Sequence, residues 1–399
     1  MFNTDANVPA AEIDRRIDRL QSELQARQID GALILQNSDL YYLAGTIQQS
    51  HLYVPAEGKI LLMARKSLAR ARAESPIEDI VPLSSPKQIP GILKDHGLPL
   101  PRRLGMELDV LPVNLFRTYE LIFEGPDISD VSPALRTLRA VKSDYEIDII
   151  TRAAELSDRV AAYAKEILRS GMTELEAAGL VEAHARKLGH QGIIRMRMFG
   201  GELFYGHLLC GASAAVPSYL ASPTGGSAAN PAVAQGAGFA RMAAHTPILL
   251  DYAFALNGYI SDHTRIFALA SLPEDLLAAH AAMLDIQSQI KAYARPGVAA
   301  GDIYDLGVRL AEEAGYGEYF MGAEANRIKF IGHGVGLELD EYPFLAKGQD
   351  MPLVENMVIA LEPKLIFPGR GVVGIENTHL VTPSGLKQLG RYPDEITIL

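Results

Sequence analysis

The amino-acid sequence predicts a mixed α/β (α+β) protein that is built from two domains. Its 399 residues exceed the roughly 250–300 residues at which a single hydrophobic core stops growing. Helices alternate with short apolar strands over the first part of the chain, which is typical of a small α/β domain. Capped long helices and strongly apolar strand pairs follow. We therefore predict one domain at residues 1–132 and a second at 133–399.

The composition indicates a globular protein with an acidic surface. Apolar residues make up 48% of the chain and charged residues 21%, which is enough for a large core. The net charge of −11 argues against a nucleic-acid partner, because such a surface needs an excess of Lys and Arg. The single cysteine, Cys210, excludes an internal disulfide. With no hydrophobic signal region and no run of about 18 apolar residues, we expect a cytoplasmic protein without a membrane partner.

The first domain is predicted from alternating helical and strand periods. Apolar residues at helical spacing from Ile13 to Leu24 indicate an amphipathic opening helix. The other expected elements are strands at 31–36, 51–54, 59–63 and 103–108, and helices at 67–74 and 88–96. Because we find no cluster of Asp, Glu, His or Cys with ligand spacing here, we expect this domain to shape a site or an interface.

The second domain opens with helices that recur along the chain. Ser143 with Glu146, and Thr173 with Glu176, form capping-box patterns ahead of helices at 147–168 and 173–189. A similar pair of helices is expected at 274–294 and 299–315. This faint internal duplication predicts a pseudo-two-fold domain, with coincidence as the alternative.

The most informative stretch is a pair of apolar strands that meet at Asn257-Gly258, a dipeptide that favours a two-residue type I′ turn. That turn places Asp251 opposite Thr264 and Asp262 opposite Ala253, so the two carboxylates share one face of the ribbon. The stretch contains no lysine, and its arginine points to the other face by alternation. Because buried carboxylates need positive charge, a metal ion is the simplest hypothesis.

Three further residues could complete a metal site. His333 is flanked by glycines, which would allow a ligand to approach closely, although one such histidine alone is more often structural. Glu362 and Glu376 end two apolar segments, and a hairpin centred near Gly369 would place them opposite each other. Each acid alone is more commonly salt-bridged. Four acids on two ribbons, together with a histidine, are harder to explain in that way.

Four carboxylates and one imidazole are more than one structural zinc site needs, but they suit two divalent ions about 3.5–4 Å apart. The oxygen-rich set favours Mn²⁺, and Co²⁺, Zn²⁺ and Fe²⁺ remain open. A hydroxide held between two such ions is nucleophilic at neutral pH and can attack a carbonyl group.

The order Asp251, Asp262, His333, Glu362, Glu376 resembles that of the M24 metallopeptidases of the pita-bread fold. This family includes the Xaa-Pro aminopeptidases, prolidases and methionine aminopeptidases. The stretches that look like its signatures are 139–147, 257–265, 332–337, 361–363 and 374–377. A first domain of this size is similar to the prolidase and creatinase branch. The resemblance thus implies a creatinase-like N-terminal α/β domain ahead of a pita-bread catalytic domain.

The resemblance also implies roles for these residues. Asp251 would bind one ion and His333 the other, Asp262 and Glu376 would bridge both, and Glu362 would bind metal and act as the acid/base. The implied reaction is hydrolysis of the Xaa-Pro bond by a metal-bridging hydroxide, in dipeptides or at the N-terminus of short peptides. A homodimer is expected from the same branch.

Three positions depart from the family pattern. Asp340 and Ser218 stand where the peptidases usually carry histidines, and Gly374 stands where an arginine is common. We take Ser218 and Asp340 as candidate substrate-binding residues and count Asp340 with Glu362 and His333 as catalytic. The histidines that could supply the missing donors are His207, His263 and His379.

Two other hypotheses stay open, and the departures at Ser218 and Asp340 favour the first of them. One is a pita-bread relative that acts on a small non-peptide amide or carboxylate, as creatinase-like and lyase-like relatives do. The other is a non-catalytic binding protein that has the same fold.

Overall fold

The computed structural model describes residues 7–219 and 222–399, and the chain divides into two compact units after Arg139. The predicted boundary, after residue 132, falls at the start of a helix, Ser132–Ala140. This helix bonds within the first unit, because Arg139 pairs with Asp39 at 2.8 Å and the Tyr42 hydroxyl donates to the Leu138 carbonyl.

The first unit is a six-stranded mixed sheet with the strand order β4-β3-β2-β1-β5-β6. Its elements in chain order are α1 Ala10–Ala26, β1 Gly31–Ile34, α2 Asn37–Ala44, β2 Ser50–Pro55, β3 Leu61–Ala64, α3 Leu68–Glu74, β4 Ile80–Pro82, α4 Ile89–Asp95, β5 Arg103–Met106, α5 Val113–Ile122, β6 Asp127–Asp130 and α6 Ser132–Ala140. All predicted strands and helices are present. The sequence did not predict α2, β4, α5, β6 or α6.

The second unit combines helices with three sheets, whose strand orders are β17-β9-β8-β7, β11-β10-β12-β15-β16 and β13-β14. Its elements are α7 Asp144–Ile167, α8 Glu174–Lys187, β7 Gly206–Cys210, β8 Pro247–Leu256, β9 Tyr259–Ala268, α9 Glu274–Tyr293, α10 Ala300–Glu313, β10 Phe330–Gly334, β11 Glu341–Ala346, β12 Val358–Leu361, β13 Lys364–Phe367, β14 Gly371–Gly374, β15 Asn377–Thr382, β16 Gly385–Gln388 and β17 Thr397–Ile398.

The two predicted pairs of helices are present. Capping boxes at Ser143 and Thr173 open α7 and α8, in which the serine or threonine side chain accepts a backbone N–H and a glutamate reaches back. Helix α7 packs on β8 and β9, whereas α9 packs on β14 and β16 and α10 packs on β11. The strands that carry the candidate ligands are therefore supported by helices. Within the described residues, no helix is long and apolar enough to cross a membrane.

The hairpin of β8 and β9 has the predicted turn and register. Asn257 has a φ of 48° and Gly258 a φ of 92°, as a type I′ turn requires. Asp251 pairs with Thr264, and Asp262 lies opposite its predicted partner in β8. The turn chemistry therefore determines which face of the ribbon carries both carboxylates.

The second predicted hairpin has the expected register but is split between two sheets. The ladders β12–β15 and β13–β14 share a register centred at Gly369, which places Glu362 opposite Glu376. Because Pro363 has no N–H to donate, the ladder is interrupted at the residues of interest. An isolated bridge from Thr264 to Glu376 joins this interrupted ribbon to β9.

Candidate metal centre and active site

Asp262 and Glu376 are held in place by hydroxyl groups of neighbouring strands. Thr378 Oγ1 accepts the Asp262 backbone N–H at 2.8 Å and donates to the Asp262 carbonyl at 2.9 Å. The Thr264 hydroxyl donates to Glu376 Oε2 at 2.9 Å. Threonine suits these strands, and its hydroxyl here fixes the position of a carboxylate or its backbone.

Arg265 lies on the face of β9 opposite to that of Asp262, as strand alternation predicts, and its side chain contacts the strand segment that carries Glu376. Its Nη1 donates to the Glu376 carbonyl at 3.0 Å, and its Nη2 donates to Asn377 Oδ1 at 2.8 Å. The guanidinium also pairs with Asp394 at 3.2 Å. Because Arg265 binds main-chain and amide oxygens here, it positions the acidic strand and leaves the acid side chains to other partners.

His333 lies in β10 with one ring nitrogen directed at the acids. Its Nδ1 lies 3.2 Å from the carbonyl oxygen of Gly334, to which it can donate. The other ring nitrogen, Nε2, faces the acids and lies 4.0 Å from Asp262 Oδ2 and 3.8 Å from Glu362 Oε1. A histidine whose other ring N–H is held by a carbonyl is oriented as a metal ligand requires.

The glycines around His333 serve backbone packing rather than ligand approach. A Cβ at Gly332 would lie 2.2 Å from the Ala360 carbonyl oxygen, and one at Gly334 would lie 2.1 Å from the Tyr342 carbonyl oxygen. Such contacts are too short for any side chain, so β10 needs glycine to lie between its neighbours. The effect on the site is indirect, because the close packing fixes the histidine.

Lys364 extends into the acidic cluster from the start of β13. Its Nζ lies 2.8 Å from Glu362, 2.8 Å from Glu376 and 3.1 Å from Asp251, and its side chain is 1% exposed. Burial alone would lower the pKa of Lys364, but the three carboxylates outweigh it and raise that pKa well above its ordinary value. The positive charge that the buried carboxylates require is therefore supplied in part by the chain itself.

One group of donors fits a metal ion. Among the described residues, single ligand atoms of Asp262, His333 and Glu376 lie within 4.8 Å of one another. Burial, together with the nearby charge of Asp251, raises the pKa of Asp262 to about 7. Burial and the charge of Asp262 likewise raise the pKa of Glu376. The lysine thus leaves the carboxylates short of positive charge, and oxygen and imidazole donors in this arrangement suit a divalent cation.

The acids line a cavity of about 470 Å³. All five predicted ligands, Asp251, Asp262, His333, Glu362 and Glu376, contribute to its lining. The apolar side chains around them are Met196, Met198, Leu203, Phe330, Leu339 and Phe344, and the polar ones include His207, Gln235, Lys329 and Asp340. A mostly apolar cavity with a few convergent polar groups is the usual form of a small-molecule site.

Two family models match this chain: Metallopeptidase family M24 over residues 148–383, and the Creatinase/Prolidase N-terminal domain over residues 16–141. The chain belongs to metallopeptidase family M24. It is an enzyme of the metallopeptidase class, which argues against the non-catalytic hypothesis, and M24 enzymes use divalent metal ions.

Similar proteins cover nearly the whole chain. The Xaa-Pro dipeptidase of Pyrococcus furiosus is 28% identical over 387 residues, which is 96% of this chain and 99% of that protein. The prolidase structure from Pyrococcus horikoshii matches with a TM-score of 0.79 at 25% identity, over 95% of this chain and 99% of that one. The Xaa-Pro dipeptidase structure from Bacillus anthracis, at 24% identity, has a TM-score of 0.82 over 97% and 100%. The fold is the pita-bread fold preceded by a creatinase-like domain.

Asp340 and Ser218 stand where the M24 resemblance implies histidines. In this peptidase both side chains hydrogen-bond to backbone groups. Asp340 accepts the backbone N–H groups of Arg197 at 2.8 Å and Met198 at 3.0 Å, so its carboxylate fixes a loop of the cavity wall. Ser218 donates to the Ala234 carbonyl at 2.7 Å and, although the structure describes it, is not among the lining residues. A role in substrate binding stays a prediction for both.

Of the three histidines considered as replacements, one reaches the cavity. His207 lies in β7 opposite Asp251, with its ring nitrogens 3.1 Å from Thr224 Oγ1 and from Gln235 Oε1. Burial lowers its pKa, so the ring is neutral. His263 and His379 are buried in the second unit and do not line the cavity.

Sequence reasoning overlooked Lys364, although a signal was present. Residues two apart on a strand face the same side, so Lys364 should share a face with Glu362. The first ribbon contains no lysine, and Lys364 belongs to the second ribbon. His207 carries no comparable sequence signal, because its position depends on how β7 pairs with β8.

Proposed function

We propose that this peptidase hydrolyses the bond that precedes proline, in Xaa-Pro dipeptides or at the N-terminus of short peptides. The observation that carries the proposal is the convergence of Asp262, His333 and Glu376, with Glu362 beside them, in the lining of a mostly apolar cavity. Full-length similarity to an Xaa-Pro dipeptidase supports the choice of substrate.

Asp262, His333, Glu362 and Glu376 would hold a divalent ion, for which Mn²⁺ is favoured over Co²⁺, Zn²⁺ and Fe²⁺ because most donors are oxygens. When bound, such an ion supplies Lewis-acid activation of a water molecule and of the scissile carbonyl. Glu362 would accept the proton that the attacking water loses and pass it to the departing proline nitrogen. Its Oε2 is held by Lys364 at 2.8 Å, which leaves Oε1 on the side of His333.

The cavity wall supports an apolar substrate with a single acidic end. Phe330, Phe344 and Leu339 offer apolar surface to a proline ring and to the side chain before it. Lys329 lies exposed at the lining and would attract the free carboxylate of a dipeptide. We therefore expect dipeptides to be preferred over longer peptides, and Lys329→Met to reduce that preference.

The test is metal reconstitution followed by a substrate panel. Chelated protein is reloaded with each of the four metals and offered Xaa-Pro dipeptides, Xaa-Pro-Yaa tripeptides and matched Xaa-Ala peptides. We expect hydrolysis only with metal and only before proline. We also expect Glu362→Gln to lower kcat by roughly 10²–10⁴-fold, the usual contribution of a general acid/base. Metal-loaded protein that ignores the whole Xaa-Pro panel would refute the proposal.

A second candidate function is the hydrolysis of a small non-peptide amide, or a lyase reaction on a small carboxylate. It is favoured by one observation: Asp340 and Ser218, which stand where the M24 resemblance implies histidines, both hydrogen-bond to backbone groups. The same metal-loaded protein, screened against small amides and carboxylates, separates the two functions. Turnover of such a compound without any Xaa-Pro cleavage would establish the second.

The homodimer remains a proposal that rests on the family resemblance. Light scattering coupled to size-exclusion chromatography tests it directly, because a dimer has twice the 43.3 kDa mass of the chain. A single species at the mass of the chain would contradict it.

A further inference from the structure

Lys364 lies at the centre of the acidic cluster as a fixed cation. It begins β13, directly opposite Gly374, and its Nζ lies 2.8 Å from Glu362 Oε2, 2.8 Å from Glu376 Oε2 and 3.1 Å from Asp251 Oδ2. A lysine ammonium has three N–H donors and no acceptor. Each donor therefore has one carboxylate partner, and the ammonium is fully engaged.

We infer that the ammonium of Lys364 takes the place of one of the two divalent ions that the sequence predicts, so that this centre binds a single ion. A divalent ion binds carboxylate oxygen at about 2.0–2.2 Å. An ion that took the same three oxygens would have to displace the ammonium from a buried position. The inference rests on the proposed function only in requiring a metal centre, and it does not depend on the substrate.

The strand opposite Lys364 leaves room for this side chain alone. A Cβ at Gly374 would lie 2.6 Å from Lys364 Cα, 3.1 Å from Lys364 Cγ and 2.5 Å from the Pro363 carbonyl oxygen. Gly374 also has a φ of 146°, a conformation that favours glycine. A larger residue at 374 would therefore displace both the strand and the stem of the lysine.

The donors that remain form one metal position. Asp262, His333 and Glu376 offer ligand atoms within 4.8 Å of one another. Glu376 Oε2 already accepts from Lys364 and from Thr264, which leaves its second oxygen for an ion. One divalent ion and one ammonium bring three positive charges to four carboxylates, whereas two ions and the ammonium would bring five and leave like charges in contact.

Metal stoichiometry tests the inference without any activity measurement. The full-length protein is chelated, reloaded with excess Mn²⁺ and desalted, and bound metal per chain is measured by plasma mass spectrometry. Electron paramagnetic resonance then distinguishes isolated Mn²⁺ from a spin-coupled pair. The variants are Lys364→Met, which removes the charge but keeps an unbranched stem, and Lys347→Met, a matched change at an exposed lysine.

We expect one isolated Mn²⁺ per chain in the unaltered protein and in Lys347→Met, and a gain of a second, coupled ion in Lys364→Met. Asp262→Asn should lose the ion, whereas Asp251→Asn should keep it. Two ions per chain in the unaltered protein, or none, would overturn the inference even if Lys364→Met does not fold. One ion without Xaa-Pro cleavage would leave the inference standing and refute the proposed function, and two ions with cleavage would do the reverse.

Discussion

The buried ion pair of Lys142 and Glu341 allows a sharp test of how the second unit is held together. Lys142 belongs to the stretch that opens the catalytic domain, and Glu341 follows directly after Asp340. Lys142 Nζ lies 2.9 Å from Glu341 Oε2, with the side chains 1% and 4% exposed. Glu341 Oε1 accepts the backbone N–H groups of Leu337 at 2.9 Å and Glu338 at 3.3 Å, so the pair also fixes the loop that carries Asp340.

The change Glu341→Gln keeps the size of the side chain and removes its charge. Lys142 then remains buried without that countercharge, a situation that costs about 3–5 kcal/mol of folding free energy. For a domain of this size, each kcal/mol lowers Tm by about 2–4 °C, so we expect a fall of roughly 6–20 °C. The double variant Lys142→Met/Glu341→Gln removes both charges. Its loss of folding free energy should be about 2–3 kcal/mol smaller than the sum of the losses in the two single variants.

Urea unfolding of the full chain is monitored by circular dichroism. A chelator is present so that metal binding does not contribute. Glu313→Gln is the matched control, because Glu313 pairs with Arg309 at a similar distance of 3.1 Å with both side chains about 60% exposed. Its loss should be at most about 0.5 kcal/mol. A loss below about 1 kcal/mol for Glu341→Gln, or a double variant equal to the sum of the single ones, would refute the reasoning.

Three further predictions concern positions around the site. Asp340→Asn weakens one of its two bonds to backbone N–H groups, so we expect a loss of about 1–2 kcal/mol in urea unfolding and a rise in KM larger than any fall in kcat. Arg265→Met removes the donors to the Glu376 carbonyl and should weaken Mn²⁺ binding by about 10–100-fold in a calorimetric titration. Burial lowers the pKa of His190 to about 4, and its Nδ1 accepts the Gly192 N–H. The unfolded chain therefore takes up the proton first, and stability should fall by up to about 3 kcal/mol between pH 6.5 and 4. In His190→Gln that part of the pH dependence should disappear, which unfolding at several pH values would reveal.

The turn residues explain why the sequence predicts the strand register that brings the carboxylates together. Asn257-Gly258 permits positive φ at both positions, and this determines the register of the strands on either side. The second ribbon has a longer loop, yet its centre at Gly369 still placed Glu362 opposite Glu376. In both cases the turn determines the register. The faces follow from strand alternation, which depends only on local sequence.

Other features depend on contacts that the sequence does not specify. The family resemblance made Asp340 a candidate substrate-binding residue, and that role stays a prediction, but the sequence does not show that its partners include the backbone N–H groups of residues 197 and 198, far away in the chain. His207 reaches the cavity through pairing of β7 with β8 across a long intervening segment. The glycines beside His333 suggested a ligand motif from the sequence. Glycine is required at these positions because the adjacent strands pack too closely for a side chain.

Lys364 changes what the acidic cluster can do. An ammonium neutralises carboxylates through hydrogen bonds, but it offers no open coordination position, whereas a catalytic metal ion brings both charge and an open position. Within a centre that holds one of each, only the side of Asp262 and His333 can polarise a substrate carbonyl. Asp251 then serves mainly to hold Lys364, at 3.1 Å, and its carboxylate acts on the reaction through that lysine. The retention of all five acidic and imidazole residues therefore does not by itself imply two ions, because one additional lysine redistributes their roles.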